Sequence, residues 1–199
     1  MNQTQLFYHV SQHKRIVISL LVALFLGILL GSYLSVTYLT DHLTLTLPNT
    51  HVSAWTLKMY GLILLENAWV FIVIYIGSLS FIGVPLIYFG WLVLGMRIGY
   101  TVAICISTFQ LRGVGIAFSV LIIDQLILLP LTCCFGVYAL LIHRQLFFKH
   151  APAVAAQLST KLRQYHYRFI VYLIVVALLS VLESSYYTYI YPYIMSVFS

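Results

Sequence analysis

Residues 67–96 read NAWVFIVIYIGSLSFIGVPLIYFGWLVLGM, a run of 30 without one charged side chain. A bilayer core of about 30 Å takes about 20 helical residues at ~1.5 Å rise each. The run is therefore too long for one span and too short for two complete ones. The break is Gly83-Val84-Pro85, because proline lacks a backbone donor and disfavours helix at the residue before it. Helices over 67–82 and 85–108, joined by a tight turn, are the expectation.

The rest of the chain has the same character. Of 199 residues, 62% are hydrophobic and 7% charged, with a mean hydropathy of +1.02, whereas soluble domains carry about 25% charged residues. This composition excludes a water-soluble globule, a disordered chain and a nucleic-acid binder. The fold class that remains is all-α: a single polytopic membrane domain over 1–199. The apolar run at 16–39 follows Lys14-Arg15, is long enough to span, and reads as a retained helix rather than a signal peptide. Gly27 and Gly31 stand in it at GxxxG spacing, which suits close approach of another helix. Arg112-Gly113 closes the third helix, a fourth runs over 114–141 with Pro130 inside, and a fifth over 169–190 ends in a tyrosine-rich belt. About five transmembrane helices result.

Charge sets the expected orientation. Residues 1–15 contribute +2, residues 40–66 contribute −1 and residues 143–168 contribute +5, while Arg97, Arg112, Asp124 and Glu183 cancel. Positive flanks stay in the cytoplasm, so the N-terminus is expected inside and the C-terminus outside. Residues 40–66 become an extracellular segment, with 52–65 as a surface-lying or re-entrant helix or a plain loop. Residues 152–168 become a cytoplasmic amphipathic helix. In it Val154, Leu158, Leu162, Tyr165 and Phe169 recur at helical spacing, with Lys161 and Arg163 on its polar sides. Leu158, Lys161, Leu162, Arg163 and Tyr165 are the candidate docking residues, facing either anionic headgroups or a cytoplasmic partner.

Several features together resemble the stage II sporulation protein M family. They are Asn67, Ser78-Leu79-Ser80-Phe81-Ile82-Gly83-Val84-Pro85, the Gly95-x-x-x-Gly99 pair around Arg97, Gly113, Pro130, and Glu183 ahead of Pro192. The likeness runs over residues 10–195. The chain departs from many members at Leu94, where a polar or basic residue is usual, and at Asp124 and Leu128, where His and Glu are. The resemblance places Asn67 ahead of the second helix and implies a multi-pass protein of the bacterial cell membrane. It implies one of two settings: forespore engulfment with peptidoglycan hydrolases, or circular-bacteriocin gene clusters beside ABC-type ATPases, in maturation, export or immunity.

Chemistry is sparse in the residues themselves. All seven histidines fall outside the expected spans, and His9 and His13, at i, i+4, have no Glu or Cys beside them to complete a metal set. Cys105, Cys133 and Cys134 lie in apolar runs without CxxC spacing and read as packing residues. The chain carries no HExxH, GxSxG or P-loop, so no metal or cofactor is expected and any ATP would be a partner's. What stands out is charge inside apolar runs. Helical rise puts Arg97 about 18 Å above the inner face, Asp124 about 15 Å below the outer one, and Glu183 about 21 Å up the fifth helix. Arg97, Asp124 and Glu183 therefore share a layer, with Gln125 and the Pro130 kink nearby. An ion pair would relieve the cost of charge in lipid; a polar site for a peptide terminus or a proton is the functional alternative.

The expected function is a non-enzymatic membrane subunit of a complex, handling a hydrophobic peptide with an ABC-type ATPase in circular-bacteriocin maturation, export or immunity. An engulfment and peptidoglycan-remodelling scaffold is one alternative. An intramembrane protease or ligase using Asp124 and Glu183 as paired carboxylates is the other. Gly27, Gly31, Gly83, Pro85, Gly95, Gly99 and Pro130 are the expected packing and turn positions.

Overall fold

A computed structural model of the chain describes residues 14–39, 57–148, 152–190 and 193. Five helices fill these segments: α1 Lys14–Leu39, α2 Leu57–Leu79, α3 Gly83–Phe109, α4 Leu111–Phe148 and α5 Pro152–Tyr189. Each contains a stretch long and apolar enough to cross a membrane. The chain is a multi-pass, all-α membrane protein.

The boundaries depart from expectation where sequence signals were weakest. α2 starts at Leu57, so residues 57–66, expected as a separate surface-lying or re-entrant helix or a loop, are the first ten residues of the same helix. Lys58 and Glu66 had argued for water, but both are exposed on a helix that continues without interruption. Asn67 consequently sits mid-helix rather than ahead of one. α2 also stops at Leu79, and Ser80–Ile82 make the turn, closed by the Ser80 amide donating to the Gly77 carbonyl at 3.1 Å. Pro85 does not break the chain. It lies in the first turn of α3, where a missing amide proton costs nothing.

α4 runs from Leu111 to Phe148 through Pro130, beyond the expected 114–141. The expected pair of helices at 152–168 and 169–190 is one continuous 38-residue helix; no Gly or Pro stands between Pro152 and Tyr189 to divide it. Two of the histidines expected outside the spans, His143 and His166, are in the candidate spans of α4 and α5. His9, His13, His42, His51 and His150 lie outside the described residues.

Two kinds of packing hold the bundle. α1 and α3 run parallel, backbone against backbone. A Cβ built on Gly27 would lie 2.1 Å from the Leu92 carbonyl oxygen, and on Gly31 2.1 Å from that of Met96. On Gly95 it would lie 2.2 Å from the Leu24 oxygen, and on Gly99 2.1 Å from that of Ile28. Two GxxxG faces thus interlock, a geometry that only missing side chains permit. At the α2–α3 turn a Cβ on Gly83 would meet the Gly77 carbonyl oxygen at 2.0 Å.

α5 is attached differently, by rings and polar side chains. Phe135 of α4 lies 5.7 Å from both Phe71 and Tyr165 and 5.1 Å from Tyr172, while Tyr75 stacks on Phe169 at 4.0 Å. Ser78 donates to the Tyr165 hydroxyl at 2.7 Å, and the Tyr75 hydroxyl is hydrogen-bonded to His166 Nδ1. Arg168 lies over the Tyr138 ring at 4.3 Å, a cation–π contact. Tyr165 is therefore fully buried against α2 and α4, and Leu162 packs on the same core. Tyr165 thus faces the bundle interior instead of the outward docking face expected of it, while Leu162 is partly buried. The side chain of Leu158 lies outside the described residues.

Candidate functional site

The polar layer is built by three helices. α2 supplies Asn67, 1% exposed; α3 supplies Arg97; α5 supplies Glu183, 5% exposed. Arg97 Nη1 donates to Asn67 Oδ1 at 2.9 Å and to the Glu66 carbonyl at 3.3 Å. Arg97 Nη2 lies 3.9 Å from Glu183 Oε1. Asn67 Nδ2 donates to Glu183 Oε2 at 2.7 Å and to Ser180 Oγ at 3.5 Å.

Asn67 is the residue that the sequence reading left out of the site. Its amide presents an acceptor to the guanidinium and a donor to the carboxylate at once, and the contacts require that orientation. An acid at 67 would crowd a second anion beside Glu183, and an aliphatic side chain would leave both charges short of a partner. The usable signal was periodicity: Asn67, Val70, Phe71, Ile74 and Ser78 form the buried stripe of α2, which includes Asn67 once the helix is known to begin at Leu57.

The layer is amphoteric and nearly self-satisfied. Glu183 has a neighbour on each carboxylate oxygen, and Arg97 keeps a quarter of its side chain accessible. Such a pair lowers the cost of charge in lipid, at least ~2.5 kcal/mol for each unpaired group. Neighbouring hydroxyls turn back onto their own helices: Thr101 to the Arg97 carbonyl at 2.9 Å, Ser180 to Val176 at 2.9 Å and Ser184 to Val181 at 2.9 Å. Towards the α3–α4 end Tyr186 donates to Ser119 at 3.3 Å. On the other side the Phe71–Phe135–Tyr165 cluster fills the interior.

Of the four residues expected in this layer, the structure joins Arg97 to Glu183. Gln125 is buried on α4, 6% exposed, and none of the contacts above involves it. The side chain of Asp124 lies outside the described residues. Pro130 is on the exposed side of α4, one turn from Gln125, and Thr132 beside it donates to the Leu128 carbonyl at 2.7 Å. Among the described residues no three His, Cys, Asp or Glu side chains come together as a metal set.

The stretch from α1 through Glu183, which holds this layer, coincides with the stretch matched by a family model. The model for stage II sporulation protein M aligns with residues 16–185. The chain belongs to the stage II sporulation protein M family. Comparison with curated proteins and with solved structures finds no match. Within the stage II sporulation protein M match lie the interlocked glycines, the Ser80–Ile82 turn with Gly83-Val84-Pro85 opening α3, and the Arg97–Asn67–Glu183 layer.

Proposed function

We propose that the chain is a non-enzymatic subunit of a multiprotein complex in a bacterial cell membrane. It works with an ABC-type ATPase in the maturation, export or immunity of a circular bacteriocin, and handles a small hydrophobic peptide. The observation that carries the non-enzymatic reading is the state of Glu183. A carboxylate used in acid–base or nucleophilic work needs an oxygen free to meet a proton, a water or a substrate atom. Here Asn67 donates to Oε2 at 2.7 Å and the Arg97 guanidinium stands 3.9 Å from Oε1 as its counter-ion, which suits a residue that positions helices or a ligand. That geometry weighs against the intramembrane protease or ligase reading built on Asp124 and Glu183.

Membership in the stage II sporulation protein M family supports a role among partners, and it equally supports the second reading, an engulfment and peptidoglycan-remodelling scaffold. The α4–α5 hairpin supports a partner role by its length: 38 residues each, about 57 Å of helix, exceed a ~30 Å core and offer surface beyond it.

Co-purification of the full chain in mild detergent tests the proposal. An ABC-type ATPase or a small apolar peptide in stoichiometric amount is the expected result. A peptidoglycan hydrolase in their place selects the scaffold reading, and turnover of a peptide that is lost in Glu183→Gln overturns the non-enzymatic one.

A further inference from the structure

Cations gather at one height of the bundle, at the end that carries the α2–α3 turn. Ser19 of α1 shares a 2.7 Å hydrogen bond with Tyr88 of α3. Five residues before each stand Lys14 and Gly83, and Gly83 abuts His143, next to Arg144 on α4. Tyr138 of α4 meets Tyr165 of α5 at 5.7 Å; six residues on is Arg144, and four residues back along antiparallel α5 is Lys161. Lys14, Arg15, Arg144, Lys161 and Arg163 thus lie within about one helical turn of a common level, ~5 Å. Lys14, Arg15, Arg144 and Arg163 are exposed and Lys161 is half-buried.

Among the described residues no acidic side chain stands at that height. The chain has four acidic residues, Asp41, Glu66, Asp124 and Glu183, and those within the helices belong to the Arg97 level or to the α3–α4 side of it. The height is also where apolar helix ends: Lys14 opens the α1 span, Arg144 lies in the last turn of the α4 span and Lys161 is second in the α5 span. Phe81, 84% exposed, and Ile82, 68% exposed, project from the turn at that end, and Tyr167 stands one turn below Arg163 on α5. Cations above exposed rings and aliphatics match the order of chemistry at a headgroup boundary.

We infer that Lys14, Arg15, Arg144, Lys161 and Arg163 form a basic layer that binds the phosphodiester headgroups of anionic phospholipids in the adjoining leaflet. Lipid fits better than an acidic protein because the charges stand at one height on α1, α4 and α5, at the edge of their apolar windows, where headgroups meet hydrocarbon. Each contact is a charge-assisted one to phosphate oxygen. A cation beside an anionic surface strengthens binding about fivefold.

The test uses the full chain in nonionic detergent, exchanged into mixed micelles of phosphatidylglycerol or phosphatidylcholine, with retained lipid counted by native mass spectrometry. Wild type should retain phosphatidylglycerol over phosphatidylcholine, less so as salt rises, and excess inorganic phosphate should not displace it. Arg144→Gln should weaken retention about fivefold, and the combined Lys14, Arg15, Arg144, Lys161 and Arg163→Gln variant should lose the preference. Lys58→Gln with Arg112→Gln, at the opposite end, should keep it. If the combined variant does not fold, the salt titration and Arg144→Gln carry the same decision. Equal retention of the two lipids by wild type overturns the inference, as does equal loss in the Lys58/Arg112 variant. So does unchanged lipid retention with loss of a co-purifying acidic protein in Arg144→Gln.

Discussion

Glu183 and Arg97 tolerate the bundle interior because Asn67 stands between them. Removing one member of such a set leaves a charge without its counterpart, an effect of about 3–5 kcal/mol for buried pairs. Arg97→Leu and Glu183→Leu should each lower the thermal midpoint in detergent and the accumulated level in membranes. The double variant Arg97→Leu/Glu183→Leu should recover most of both, since no charge remains to be compensated. A double variant as unstable as the worse single one contradicts this. Asn67→Leu keeps the ion pair but deprives each charge of a close hydrogen bond, and a loss of about 1–3 kcal/mol is expected. The same melting assay reads it.

Helix by helix, glycines with opposite surroundings make an internal comparison. Gly31→Ala pushes a methyl into the Met96 carbonyl, 2.1 Å away, and must prise α1 from α3. Gly61 on α2 has nothing within 4 Å of its built Cβ, so Gly61→Ala should gain the ~0.5–1 kcal/mol that alanine brings to a helix interior. Opposite shifts in melting temperature are the expected outcome, and equal shifts would show that α1 and α3 are not in backbone contact. The α3–α4 connection is the single residue Gln110, at φ 53° and ψ −131°. A side chain there costs about 1–3 kcal/mol, so Gln110→Gly should raise the unfolding midpoint in denaturant without altering its slope.

Across the whole molecule, the unbroken α5 ties the basic end to the polar layer. From Arg163 to Tyr189 the helix rises about 39 Å, more than a bilayer core of ~30 Å. Single cysteines at Arg163 and Tyr189 should therefore react with membrane-impermeant thiol reagent from opposite sides. On charge grounds position 163 should be shielded in intact cells and position 189 labelled. Labelling of 163 from outside intact cells would reverse the orientation expected from charge; labelling of both from one side would contradict a spanning α5.

Composition alone determined that this is a helical membrane protein, because hydrocarbon admits few charges and obliges the backbone to bond within each helix. Glycine spacing marked Gly27, Gly31, Gly95 and Gly99, and charge in apolar runs marked Arg97 and Glu183, since both patterns are read along one helix. What needed tertiary structure was whatever depends on a neighbour. Leu57–Leu65 read as part of a surface-lying or re-entrant helix or a loop beside the polar Lys58 and Glu66, and only the tertiary structure joins it to α2, with both of those residues on the exposed side. The division of α5 near Phe169 looked natural because composition changes there, yet nothing in the backbone enforces a break, and Tyr165 finds its place against α2 and α4. Asn67 became a site residue only when three helices brought a cation and an anion to its two ends, a relation between chain positions 67, 97 and 183 that no local pattern encodes.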